Sequence, residues 1–198
     1  MFGLLLRAFQ SYVCTTFGPR PWGQVLTQVG FMGEGFEPLL PYDRALFDRV
    51  LATAAEILER PVETVLEDLG THIVTNPAYP APRRLLRFGG ATYGDFLLSL
   101  EELPDRARLA LPEAALPPVM LEETGPSQYV LSCPLALPAL GHVLTGILRA
   151  MADDYGALVV IEPEPLPEPG VALSIRLHEP EFTAGRSFRL APKDAAHG

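Results

Sequence analysis

The stretch Leu85-Leu86-Arg87-Phe88-Gly89-Gly90-Ala91-Thr92-Tyr93-Gly94-Asp95-Phe96-Leu97-Leu98-Ser99-Leu100-Glu101-Glu102-Leu103, followed by Pro104-Asp105, decides how the chain is read. Gly89-Gly90 turns the chain, and Thr92 to Leu100 then reads as a strongly apolar helix. Ser99 and Glu102 offer a capping-box pattern for a further helical stretch through Leu111, and Pro104 falls inside that stretch. In a helix interior proline costs about 3 kcal/mol, whereas in a first turn its missing N–H is not needed. A helix that restarts near Leu103 therefore tolerates Pro104.

Upstream, Leu5, Phe9, Tyr12, Val13 and Phe17 recur at helical spacing from Leu4 to Phe17, where Gly18-Pro19 ends the run. A second helix is predicted from Trp22 to Val29, closed by Gly30 and followed by a glycine-rich loop to Gly35. Asp43 stands where an N-cap is needed before Leu46, Val50, Leu51, Ala54, Ile57 and Leu58. Pro61 begins another helix, Val62 to Leu69, with Gly70 closing it. Asn76 to Pro82 reads as an extended loop.

Downstream, Val119 to Glu122 and Gln128 to Cys133 flank a Gly125-Pro126-Ser127 turn as a hairpin. Leu135 to Asp154 is helical by periodicity. Ala157 to Ile161 and Val171 to Leu177 are β-rich runs on either side of the acidic, proline-rich loop Glu162 to Gly170. They form a second hairpin that completes a sheet of about four strands, with room for an extra edge strand near Phe188. Several helices followed by strands with a helix between them make the chain α+β.

The 198 residues are 48% hydrophobic and 20% charged, enough to build a core. A formal charge of −9 works against nucleic acid and anionic membrane surfaces, whose binding needs a basic face. No apolar run is long enough to span a bilayer and the N-terminus does not read as a signal peptide, so a cytoplasmic location is expected. Cys14 and Cys133 stand far apart without metal-site spacing, so neither a metal centre nor a disulfide framework is predicted. No nucleophile elbow, P-loop, H-E-x-x-H or G-x-G-x-x-G is present, and no catalytic residue is assigned.

The order and spacing of several pieces resemble a known family. They are Met1-Phe2-Gly3, Phe17-Gly18-Pro19 with Trp22 behind it, Tyr42-Asp43, Val65-Leu66-Glu67-Asp68-Leu69-Gly70, the block from Leu85 to Leu103, and Leu116-Pro117-Pro118. The family is that of the heme-nitric oxide/oxygen-binding (H-NOX) domains, which also form the N-terminal part of soluble guanylate cyclases. The resemblance implies a helical N-terminal part packed on a sheet-bearing C-terminal part, with heme between them. It also implies an axial histidine on the helix directly after the quoted block, a gas-induced shift of that helix, and signalling to a kinase or cyclase.

Two positions depart from the family pattern. Where the family resembles L-x-x-L-H-D, this chain has Leu100-Glu101-Glu102-Leu103-Pro104-Asp105, and a proline nitrogen within a peptide has no lone pair for a metal. The Y-x-S-x-R signature, which holds the heme propionates, falls within Cys133 to Pro138 and is absent there, and no Arg or Lys occurs between Arg108 and Arg149. Heme is therefore expected to be absent or unconventionally bound. The vacated space would form an apolar ligand pocket lined by Leu5, Leu103, Pro104, Pro118, Leu137, Val143 and Ile147. Unfilled, such space costs about 24 cal/mol per Å³, so it must collapse or take an apolar guest.

The expected function is a sensory or regulatory ligand-binding domain, not an enzyme, that signals in trans. Its partner would be a separate protein such as a histidine kinase or a nucleotide or cyclic-dinucleotide enzyme. The alternative is a gas sensor whose heme is held through His142 or Cys133. Each has a plainer reading: His142 as a hydrogen-bonded or partly exposed side chain, Cys133 as a buried thiol with no cation beside it. His72 reads as a partner of a helix C-terminus, Cys14 as packing, and His178 and His197 as unpaired. Residues 1–190 are expected to form one domain, with a helical subregion 1–75, a pocket and sheet subregion 83–190, and a tail 191–198.

Overall fold

A computed structural model describes residues 2–33, 35–78, 80–110, 116–134, 137–165 and 170–178. Helix α1 spans Phe2–Thr16 and buries Leu6, Phe9, Tyr12 and Val13, the face set by their spacing. Helix α2 spans Pro19–Val29, three residues earlier than its apolar pattern suggests, because Pro19 needs no N–H partner in a first turn. Helix α3, Arg44–Leu58, is capped by the Asp43 carboxylate, which accepts from the Leu46 N–H at 2.6 Å.

Helix α4 runs from Val62 to Thr75, through Gly70 instead of ending before it. The glycine serves close approach: a Cβ there would collide with the Val143 carbonyl and lie 2.9 Å from the Ile147 N. His72 accordingly sits inside the last turn of α4. Helix α5, Ala81–Arg87, begins within the expected loop, with Pro82 in its first turn.

Helix α6, Tyr93–Leu98, is opened by a capping box formed by Thr92 and Asp95, while the box expected of Ser99 and Glu102 for the following helical stretch does not form. Ser99 lies in a 3-10 turn, Ser99–Glu102, and its hydroxyl donates to the Phe96 carbonyl. Helix α7 then runs Leu103–Ala110. Pro104 explains the break. An α-helical register would require its N–H for the Leu100 carbonyl, and that oxygen is taken instead by the Leu103 N–H, one residue earlier.

Strands β1, Met120–Gly125, and β2, Gln128–Cys133, form the expected hairpin, with Ser127 at φ 57° in its turn. Helix α8 spans Pro138–Tyr155, and strands β3, Leu158–Glu164, and β4, Val171–His178, follow. All neighbours are antiparallel in the order β1-β2-β4-β3, giving four strands. The edge strand expected near Phe188, the pocket residues' neighbours at 135 and 136, and the tail 191–198 lie outside the described residues.

Two apolar cores result. The N-terminal core joins α1 to α4 around Phe9, Phe47, Val65 and Leu69 and includes Val143 of α8. The C-terminal core joins α5, α6, the inner sheet face and α8 around Phe96, Leu97, Leu131, Leu148 and Met151. Ile147 packs against both.

Candidate functional site

Of the expected pocket residues only Ile147 packs against both cores, and the others are dispersed. Leu5, Val143 and Ile147 meet at the N-terminal core, with Val143 buried and the other two half-buried. Leu103 packs on the C-terminal core, which it shares with Ile147. Leu137 is buried just before α8. Pro104 is half-buried in the first turn of α7, whereas Pro118 is exposed ahead of β1; its neighbour Val119 makes the contact with the C-terminal core. The two prolines belong to neither core cluster.

The boundary is closely knit. Gly70 and Gly146 let α4 and α8 meet backbone to backbone: a Cβ on Gly146 would collide with the Glu67 carbonyl and lie 3.0 Å from the Thr71 N. Tyr93 stands on the C-terminal side with its hydroxyl donating to the Leu148 carbonyl at 3.1 Å, and burial holds its pKa well above the usual phenol value.

On the N-terminal side, His72 faces Ser11 Oγ at 3.2 Å and Asn76 Nδ2 at 3.0 Å. Asn76 Oδ1 accepts from the Ala78 N–H, so the amide turns its NH₂ toward the imidazole and makes His72 Nε2 the acceptor. Burial lowers the His72 pKa. His72 thus lies in the last turn of α4, near the helix end as expected, with its Nε2 engaged by the Ser11 and Asn76 side chains. Cys14 packs on the N-terminal core and burial raises its pKa, as a structural thiol requires.

His142 is half-buried on α8 and looks outward, with Nδ1 3.8 Å from Glu67 Oε1. It lines a cleft of about 270 Å³ between α4, α8 and the β3–β4 pair. Cys133, 1% exposed, sits at the end of β2 opposite Val171. The other described histidines are His72 and His178, the latter exposed at the end of β4; none of the described histidines lies on α6, the 3-10 turn or α7. Among the described residues no group of three His, Cys, Asp or Glu side chains could hold a metal ion. Arg106, the cation of α7 nearest the break, is tied to the Ser99 carbonyl at 2.9 Å and to Ser99 Oγ at 3.2 Å. This donor set does not fit a histidine-ligated heme with arginine-held propionates.

Sequence reasoning missed Glu67 and Arg149, which form an ion pair across the α4–α8 seam. Arg149, the first cation after Arg108, stands on the polar face of α8, but its partner lies 82 residues away.

No described helix is long and apolar enough to cross a membrane. The family model described as "Haem-NO-binding" matches residues 2–163. Soluble guanylate cyclase gcy-31 of Caenorhabditis elegans is 21% identical over 163 residues, covering 82% of this chain but 23% of that protein, so the chain spans about a quarter of this relative. The Fe(II) unliganded H-NOX protein from K. algicida superposes with a TM-score of 0.74 at 18% identity, covering 91% of this chain and 98% of that one. The S. oneidensis H-NOX protein in the Fe(II)NO state gives 0.73 at 15% identity, covering 89% and 99%. With the matched model spanning helices, hairpin and most of β3, the chain belongs to the haem-NO-binding, or H-NOX, family of heme-binding gas-sensor domains.

Proposed function

We propose that this H-NOX domain has given up histidine-ligated heme and works as a sensory or regulatory module around an apolar pocket, acting on a separate signalling protein in the cytoplasm. The observation that carries the reading is Pro104 at the position of the axial base, together with the absence of any Arg or Lys between Arg108 and Arg149. One loss could be replaced from elsewhere; the axial base and the propionate anchor are missing together. The side chains expected to line the pocket, Leu5, Leu103, Leu137, Val143 and Ile147, are all apolar and would suit an apolar guest. Residues 1–190 are read as one unit, with α8 serving both halves.

The placement of His142 beside Glu67 and of Cys133 at a strand end supports the plain reading of both residues. Signalling in trans, to a histidine kinase or a nucleotide or cyclic-dinucleotide enzyme, rests on the role of the family.

The test is an absorption spectrum of protein purified from heme-supplemented cells, before and after nitric oxide. A colourless protein is expected. A stoichiometric Soret band that shifts with the gas would overturn the proposal, and its loss in His142→Ala or Cys133→Ala would identify the replacement ligand.

A further inference from the structure

The sheet turns Leu131, Ile161, Leu173 and Ile175 toward α8 and the C-terminal core. The alternate residues make its outer face, and none of the apolar side chains there joins either core. Register places Ala172 between Ser132 and Glu164, and Ser174 between Val130 and Glu162. Glu122 of β1 stands opposite Val130. Toward the rims of the same face Met120, Leu158 and Val160 are exposed.

The charge on this face says what would cover it. Glu122, Glu162 and Glu164 form no ion pair among the described residues, and Arg176 is the one arginine set against them there. A fitting occupant brings apolar side chains together with cations. The chain holds such a segment directly beyond β4: Phe182 to Lys193 contains Phe182, Phe188 and Leu190, with Arg186, Arg189 and Lys193 and no acidic residue, in a protein of charge −9. Phe188 stands ten residues past His178, a reach of up to about 33 Å when extended, while four strands span only about 15 Å.

We infer that the outer face of the sheet is the docking surface of the chain's own C-terminal segment, residues 182–193. Phe188 and Leu190, two residues apart and so on one side of an extended segment, cover Val130, Ala172 and Val160. Arg186, Arg189 and Lys193 meet Glu122, Glu162 and Glu164, their stems adding apolar cover. The tether to β4 makes the association intramolecular, so a contact too small to hold a free peptide suffices. While the segment is seated the face is closed to other chains, and a partner protein reaches it only by displacing the segment. The inference does not depend on what fills the pocket, so a heme-loaded protein would leave it standing.

The test places a photocrosslinker in the full chain, Phe188→p-benzoylphenylalanine, and maps the irradiated products by mass spectrometry. Crosslinks within one copy are expected on Val130, Ser132 or Val160, residues of β2 and β3 that chain proximity to Phe188 does not supply. Their yield should fall at least about threefold when Glu122→Lys and Glu162→Lys are combined, and again in about 0.5 M salt. Both glutamates are exposed on their strands, so the charge reversals keep the fold, which circular dichroism verifies. Products that join two copies, products scattered over α1 to α4, no product on β2 or β3, or a yield indifferent to the charge reversals overturns the inference.

Discussion

The backbone of Gly70 on α4 lies directly against the carbonyl of Val143 on α8, and three residues further along α8 Gly146 lies in the same way against the carbonyl of Glu67. The two glycines form a reciprocal seam that fixes how the N-terminal helices sit on the C-terminal half. Neither has room for one more carbon.

Gly70→Ala and Gly146→Ala should therefore each destabilise the protein by about 1–3 kcal/mol, the usual cost of overpacking a tight contact. Urea denaturation measures it. A loss below about 0.5 kcal/mol in both variants would mean that the helices separate without penalty.

Stability should fall as acid is added through the range in which histidine titrates. His72 has an ordinary pKa of 6.5 when unfolded and a lower one when folded, because burial disfavours the charged ring. Between the two values the unfolded chain holds more protons. The contribution is thus complete above about pH 6.5 and is lost as pH falls toward the folded value. Urea midpoints between about pH 7.5 and 5 should show a shallower decline for His72→Gln than for the wild type, His142 and His178 being common to both. Parallel declines would assign the titration elsewhere.

Pro104→Ala should stabilise by less than about 1 kcal/mol, since the 3-10 turn already satisfies the Leu100 carbonyl and the ring sits in a first turn. A gain approaching 3 kcal/mol, seen as a raised urea midpoint, would show a proline forced into a helix interior.

Thr92→Ala should cost about 1 kcal/mol, because Thr92 Oγ1 accepts from the Asp95 N–H and its loss opens the capping box. Thr92→Ser should retain most of that stability in thermal or urea unfolding. The Thr92 backbone N–H holds the Asp95 carboxyl below the ordinary carboxylate range, so this part of the cap fails only in strong acid.

The elements were legible where the sequence is periodic. The face of α1, the Asp43 cap, the β1–β2 turn and the core stripe of α8 all follow from local spacing. Gly70 was misread as a helix end because a glycine that closes a helix and one that admits a neighbouring backbone look alike until the neighbour is placed. The box expected at Ser99 and Glu102 fails because Pro104 leaves that stretch as a 3-10 turn, where the Ser99 hydroxyl donates to the Phe96 carbonyl, and Thr92 caps the preceding helix instead. Pro104 itself was visible as a residue without a donor nitrogen. The Glu67–Arg149 pair and the Ser11–His72–Asn76 contacts join helices distant in sequence, so no local pattern announces them.

Helix α8 lends Val143 to one core and Leu148 and Met151 to the other, with Ile147 shared. The two halves are thus not separable parts. A fragment ending before Pro138 would lack a wall of its first core, and one beginning at α8 would expose Val143 and the Gly146 groove to water. Neither a protease nor a designer can divide the protein at its apparent waist and recover two folded pieces; a graft of this domain onto another protein has to carry α1 and α8 together.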